Sequence, residues 1–169
     1  MTKFLLSLHV LAAILAIGPV TVAASMFPPA VRRAAVALPV GPGGEETATA
    51  AGAGDATDVG TVRLLHRICR VYAGLGIAVP LLGLATALAM GVLGDAWLIA
   101  SITLTAAAAG ILLALVLPRQ EELLADLTGR RPVERARTAR LAMFTGLFNL
   151  LWATVTVLMI VRPGSTTGA

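Results

Sequence analysis

Hydrophobic residues are concentrated in four long runs along the chain. The runs cover residues 4–27, 71–93, 96–117 and 141–161. Each is close to the ~20 residues that a helix needs to cross the hydrocarbon core of a bilayer. Because a chain in lipid must satisfy its backbone polar groups internally, the pattern predicts an all-α integral membrane four-helix bundle, with no separate soluble domain.

Composition agrees with a membrane location. The 169 residues are 57% hydrophobic and only 13% charged, whereas soluble domains carry about 25% charged residues. The N-terminal apolar run is also longer than the ~7–15 residues of a secretory signal core, so we expect it to be retained as a membrane helix.

Basic residues are distributed very unevenly between the two sides that four crossings create. Lys3 and Arg162 share one side with the turn at Gly94 and Asp95. The other side carries Arg32, Arg33, Arg63, Arg67, Arg70, Arg119, Arg130, Arg131, Arg135, Arg137 and Arg140. The positive-inside rule places this second side in the cytoplasm. Both termini are therefore expected to face outward from a multi-pass protein of a bacterial cytoplasmic membrane.

The net charge of +4 does not indicate a nucleic-acid partner, because the arginines lie at membrane boundaries rather than on one folded basic face. Arginine stems can lie along lipid while their guanidinium groups reach phosphate. The residues expected to contact anionic lipid are Arg32, Arg33, Arg67, Arg70, Arg130 and Arg131. The bilayer is the expected partner, with a second copy or another membrane protein as further candidates.

The first cytoplasmic loop has two parts. Pro28 and Pro29 are expected to stop the first helix, because a proline in a helix interior removes a hydrogen bond. Residues 41–61 are rich in Gly, Ala and Thr and offer little apolar surface to bury. This composition predicts a mobile linker.

The second cytoplasmic loop is expected to be partly helical. Acidic residues among leucines predict a short amphipathic helix that ends at Gly129. A further helix is expected from Pro132 into the fourth run, with Glu134 and Arg137 forming an i,i+3 pair.

Small residues recur every fourth position in the second and third runs. They are Gly83, Ala87 and Gly91 in one run, and Ala106, Gly110 and Ala114 in the next. Such faces allow helix backbones to approach closely. Because a tight turn joins the two runs, we expect these faces to meet, and a homodimer contact is the competing interpretation. Pro80 should bend the second spanning helix.

No P-loop, dinucleotide fingerprint, HExxH, nucleophile elbow or CxxC motif occurs, which favours a non-enzymatic role. None of the four runs contains a carboxylate. Since intramembrane carboxylates typically mark proton-coupled pumps, their absence from the runs disfavours a proton-coupled antiporter.

Side chains that can bind haem or copper fall into two groups at different depths. His9, Met90 and Met159 lie near the outward side, and His66, Cys69, Met26 and Met143 lie near the cytoplasmic side. Imidazole with thioether or thiolate suits copper(I) or a haem b iron. The two histidines are roughly 20 Å or more apart along the membrane normal, so one haem iron cannot bind both. His9 is also expected to hydrogen-bond a backbone carbonyl or hydroxyl inside the bundle. Asn149 is expected to bond between helices, with Thr103 and Thr105 as partners.

The opening stretch LHVLAAILAIGPVTVAASMFP contains His9, an apolar helix and Gly18-Pro19. It resembles an uncharacterised bacterial family of small four-helix integral membrane proteins. It is similar, more loosely, to the copper-resistance-D-like and protoporphyrinogen-oxidase-like membrane proteins, which have a histidine early in the first helix. That resemblance implies a haem or copper role for His9, although this chain lacks a second histidine at matching depth.

Three functions remain open from the sequence. The favoured one is a structural or partner-interacting membrane bundle without a catalytic motif. The second is a haem- or copper-associated redox protein that uses His9, with Met90 or Met159 as a second ligand. The third is a small oligomeric permease with a path lined by Thr and Asn side chains of the third and fourth runs.

Overall fold

The computed structural model describes residues 2–37 and 48–164, and for residues 48–56 it describes the backbone alone. These residues form helices joined by short turns, without any strand. The helices are α1 (Thr2–Ala37), α2 (Ala48–Leu75), α3 (Ala78–Met90), α4 (Ala96–Ile111), α5 (Leu117–Thr128) and α6 (Arg135–Val161). A π-helical turn, Leu112–Val116, joins α4 to α5.

Four helical stretches are long and apolar enough to cross a membrane. They are Thr2–Ala37, Thr57–Met90, Ala96–Thr128 and Arg135–Val161. The second stretch combines α2 with α3, and the third combines α4 with α5. The all-α architecture with four candidate spans is confirmed, and it is that of a multi-pass membrane protein.

Successive stretches run antiparallel, which gives the bundle two different ends. His9 in the second turn of α1 contacts Gly83 in α3, and Arg162 after α6 lies over the Trp97 ring at the start of α4. We call this the terminal end, because both described termini lie there. The basic end is the opposite one, formed by the last turns of α1, most of α2, all of α5 and the first turns of α6.

The most deeply buried side chains lie toward the basic end. Phe27 and Val31 of α1 pack with Val62 of α2 and with Leu123 and Leu127 of α5, and all are at most 1% exposed. Large apolar side chains along the spans point outward instead, among them Ile14, Leu81, Ile102 and Leu150. The packed core therefore extends past the apolar runs, and the middle of the bundle presents its apolar surface outward.

Helix α1 does not end at Pro28 and Pro29, as the sequence analysis expected, but continues to Ala37. Proline costs backbone hydrogen bonds in a helix, yet its fixed φ is helical. Val31 and Ala34, which follow the two prolines, are buried in the core. Packing of this extension therefore outweighs the lost hydrogen bonds.

Helix α2 begins at Ala48, so residues 48–61 of the expected linker are helical. Alanine has the highest helix propensity, and this segment is alanine-rich. Its continuation is held by Val62 and Leu65, which are buried against the core. Residues 41–47 of the expected linker lie outside the described part of the chain.

A bend was expected near Pro80, and the helix is interrupted one turn earlier, where α2 ends at Leu75 and α3 begins at Ala78. Pro80 has no N–H with which to reach the Gly76 carbonyl. The backbone N–H of Val79 donates to that carbonyl instead, at 3.1 Å. A tighter turn therefore replaces the missing α-helical bond.

The two small-residue faces do not meet, so that prediction was wrong. Helix α3 packs on α1 and helix α4 packs on α6, while α3 and α4 contact each other mainly near their connecting turn. Gly83 faces the His9 ring, and a Cβ at Gly110 would have no neighbour within 4 Å. The space that Gly83 provides is filled by an imidazole ring rather than by the next helix.

Replacing Phe27 by Ala should lower the free energy of unfolding in detergent by about 3–5 kcal/mol, because the side chain is fully buried in the core. Phe4 of the same helix is 71% exposed, so Phe4→Ala is the matched control and should change little. Equal effects of the two substitutions would contradict the placement of the core at the basic end.

Candidate functional site

His9 is the one histidine within an apolar run, and the structure buries it between α1 and α3. Its side chain is 7% exposed, and its Nδ1 lies 3.0 Å from the backbone carbonyl oxygen of Val79. Because a carbonyl only accepts, Nδ1 carries a proton and donates, and Nε2 is the ring nitrogen outside this bond. The expectation that His9 bonds a backbone carbonyl is confirmed.

Gly83 forms the surface on which the His9 ring packs. A Cβ built on Gly83 would lie 2.9 Å from Cε1 and 3.6 Å from Nε2 of His9. Both ring atoms therefore lie close to the α3 backbone, and the bare glycine is what admits the ring.

The other candidate ligands of the terminal end are less enclosed. Met90 and Met159 are half-buried and lie near the ends of α3 and α6. Among the residues described, no group of three or more His, Cys, Asp or Glu side chains could hold a metal ion. A ligand set at His9 would depend on methionine sulfur, and it stays a prediction.

A buried polar triad, which we define as His66, Gln120 and Cys69, lies at the basic end. His66 Nδ1 is 3.3 Å from Gln120 Oε1, and Gln120 Nε2 donates to Cys69 Sγ at 3.6 Å. Since an amide oxygen only accepts, the imidazole is the donor. Gln120 and Cys69 are both fully buried. The Gln120 amide of α5 uses its oxygen and its nitrogen to bond two side chains of α2, and it thereby joins the two helices.

Sequence reasoning placed His66 and Cys69 near each other but missed Gln120. The signal was present, because Gln120, Leu123 and Leu127 share one face of α5 at helical spacing. Met26 and Met143, which the sequence grouped with this pair, are instead exposed on the outside of the bundle. The expected soft-ligand group at this depth is therefore only partly assembled.

The arginines expected to contact lipid are all exposed: Arg32, Arg33, Arg67, Arg70, Arg130 and Arg131. Arg130 adopts a left-handed conformation, with φ of 51°, directly after Gly129 ends α5. Exposure of these side chains is compatible with headgroup contact, which stays a prediction.

Arg137 joins α5 to α6 by pairing with two carboxylates of α5. It lies 3.1 Å from Glu122 and also forms an ion pair with Asp126. The expected pair with Glu134 is absent from the ion pairs of the described chain. Glu134 precedes the first residue of α6 in extended conformation, so the i,i+3 geometry of a helix does not apply to it.

Polar side chains of the third and fourth runs mostly bond within their own helices. The hydroxyl groups of Thr103, Thr154 and Thr156 each donate to a carbonyl four residues earlier. Asn149 does bond between helices, but its Nδ2 donates to Ser25 Oγ of α1 at 3.0 Å rather than to a threonine of α4. These three threonines are thus occupied locally, whereas the buried hydroxyl of Thr145 has no hydrogen-bond partner among the described residues.

A cavity of about 120 Å³ lies midway along the bundle, and its lining is almost entirely apolar. Thr105, Tyr72 and Trp152 contribute the polar side chains of that lining. Ligand sites for small molecules typically enclose ~300–1,000 Å³. The cavity is therefore small for a substrate site.

Comparison with protein-family models, with curated proteins and with solved structures finds no match for this chain.

Replacing Gly83 by Ala should lower the free energy of unfolding by about 1–3 kcal/mol, because the new Cβ would collide with the His9 ring. Gly110→Ala is the control, since its Cβ meets open space and alanine favours helix by up to ~1 kcal/mol. Unfolding of both variants in detergent checks this. A Gly83→Ala variant as stable as Gly110→Ala would disprove the close packing of His9.

Proposed function

We propose that this chain is a non-enzymatic, multi-pass protein of a bacterial cytoplasmic membrane, whose basic end docks on anionic lipid headgroups at the cytoplasmic face. The proposal includes the orientation with both termini outward. It assigns the protein a structural role, in which the bundle presents a fixed set of arginines to the membrane surface.

The observation that carries this proposal is the packed core at the basic end. Phe27, Val31, Leu123 and Leu127 hold the arginine-bearing segments as helices. Of the six arginines expected to contact lipid, Arg32, Arg33, Arg67 and Arg70 lie on α1 and α2, and Arg130 and Arg131 lie in the connection between α5 and α6. Near an anionic leaflet each such arginine contributes about 1 kcal/mol of attraction.

The interior polar groups support a role without catalysis. His9 is bonded to a backbone carbonyl, and the buried polar triad bonds internally. A reactive group must be available to a substrate, and it needs partners that activate it. The described histidines and the cysteine are instead buried and serve contacts between helices.

A haem- or copper-associated role for His9 is the second candidate. In metal sites the ligating histidine commonly donates its other ring N–H to a carbonyl or carboxylate. His9 has this arrangement through Val79. The proximity of its Nε2 to the α3 backbone at Gly83 favours the structural role.

The lipid preference can be measured in nanodiscs. Protein in phosphatidylcholine mixed with phosphatidylglycerol should unfold at a higher temperature than protein in phosphatidylcholine alone. The difference should shrink in high salt, because the Debye length falls from ~8 Å at physiological ionic strength to ~3 Å at 1 M. Equal unfolding temperatures in the two lipids at low salt would contradict docking on anionic headgroups.

The orientation can be tested with a membrane-impermeant maleimide on intact cells. Gly94→Cys, in the α3–α4 turn, should be labelled from outside, whereas Arg131→Cys should be labelled only after permeabilisation. Both positions are exposed, and the native Cys69 is fully buried and should give little background. Labelling of Arg131→Cys alone in intact cells would reverse the proposed orientation.

A further inference from the structure

A cleft of about 220 Å³ lies between α5 and the first turns of α6. It is lined by Arg119, Glu122, Leu123, Arg137 and Arg140, and we call it the arginine cleft. We propose that the arginine cleft binds one phosphate group, carried either by an anionic lipid or by free phosphate. This inference rests on the proposed function, because it names a specific site within the basic end.

The depth of the cleft matches that of lipid headgroups. Met143, one turn after Arg140, is 61% exposed and belongs to the apolar surface. On the neighbouring stretch Leu113 is also exposed, six residues or about 9 Å before Arg119. The arginine cleft therefore opens where the apolar surface ends, which is where phosphates of a bilayer lie.

Arg119 is held in place without an ion pair to any residue within the described ranges 2–37 and 57–164. Its Nη1 donates to the Leu115 carbonyl at 3.1 Å, and its guanidinium carbon lies 4.6 Å from the centre of the Phe144 ring. The hydrogen bond uses one of the five guanidinium N–H donors, and the contact with the ring uses the flat face of the guanidinium group. The remaining donors and the full positive charge stay available to an anion.

Positive charge exceeds negative charge at the cleft. Arg137 is engaged by Glu122 and Asp126, whereas Arg140 has no ion pair or side-chain hydrogen bond with any residue that the structure describes. Three guanidinium groups thus line the cleft together with one carboxylate, that of Glu122, while Asp126 pairs with Arg137 without lining the cleft. An arginine fork matches phosphate oxygens in bidentate fashion, and such charge-assisted bonds are among the strongest that proteins make.

The size of the cleft fits a single phosphate better than a larger ligand. Its volume of about 220 Å³ lies below the ~300–1,000 Å³ of typical small-molecule sites. The arginines that the sequence analysis selected for lipid contact lie on other segments. Convergence of Arg119, Arg137 and Arg140 on one opening is visible only after α5 packs on α6.

The test uses the full-length protein and measures affinity for two probes. One probe is inorganic phosphate added to protein in an uncharged detergent. The other is phosphatidylglycerol titrated into phosphatidylcholine nanodiscs. Binding is followed through the shift in unfolding temperature, which rises with occupancy of the native state.

Arg140→Gln should weaken binding roughly tenfold for whichever probe stabilises the unmodified protein. This is the loss expected for one charge-assisted contact. Arg135→Gln is the matched control, because it removes the same charge from an exposed position on the same helix outside the cleft. It should weaken binding about twofold or less, as screened surface charges do. Equal losses of affinity in the two variants would overturn the proposal that the arginine cleft binds phosphate.

A second variant gives a change of opposite sign that misfolding cannot imitate. Glu122→Gln removes a carboxylate from the cleft and leaves Arg137 its pair with Asp126. Affinity should rise about threefold, because a repelling charge is lost. Unchanged or weaker binding by this variant would also count against the site.

The two probes separate the sources of the phosphate. A shift with phosphatidylglycerol alone, sensitive to Arg140, identifies a lipid headgroup, while an Arg140-sensitive shift with inorganic phosphate identifies a free anion. If all arginine variants reduce the lipid preference equally, the arginine cleft is not a phosphate site. The proposed docking of the basic end on anionic lipid would still stand. If neither probe stabilises the native protein, both proposals fail.

Discussion

Burial of apolar side chains at the basic end is the interaction on which the rest of this structure depends. Inside lipid no hydrophobic force draws helices together, since the tails are as apolar as leucine. The basic end, in contrast, extends beyond the apolar runs, so burial there removes apolar surface from water. Full burial of a side chain such as Val31, Leu123 or Leu127 contributes about 1.5–3 kcal/mol. Apolar burial at the basic end therefore holds the helices together, although their spans have mostly lipid-facing surfaces.

Contacts within the spans set the register of the helices rather than their association. The His9 bond to Val79 holds α1 against α3 near the terminal end, and Asn149 with Ser25 holds α6 against α1. Hydrogen bonds of this kind average ~0.6 kcal/mol in membranes. A few such bonds cannot hold a bundle together, but each is specific about which atoms meet. Association and register are thus supplied by different kinds of contact, apolar burial at the basic end and single hydrogen bonds along the spans.

The parts of the fold that the sequence predicted are those that depend on one segment at a time. A run near 20 residues long must be helical in lipid whatever surrounds it, and a histidine in such a run needs a polar partner, which Val79 supplies. The continuation of α1 past Pro28 could not be predicted, because local propensity opposes it and only packing with α2 and α5 sustains it. The partner of Gly83 was missed for a related reason. The spacing of small residues in the sequence indicates that space is left beside the helix. It does not indicate whether a neighbouring backbone or a side-chain ring fills that space.

The arginine cleft likewise could not be predicted from single segments of the sequence. Arg119 and Arg140 are 21 positions apart, and each alone is one arginine among many at a membrane boundary. What distinguishes Arg119 is a backbone feature. A π-helical turn precedes Pro118, a residue with no N–H to donate, and the Arg119 side chain bonds the Leu115 carbonyl within that turn. The same contact holds its guanidinium over Phe144 of α6. Irregular backbone is tolerated at membrane depth where a side chain satisfies it, and here the side chain that does so is charged. Stabilising the irregular turn and holding a positive charge at the arginine cleft are therefore consequences of a single arrangement.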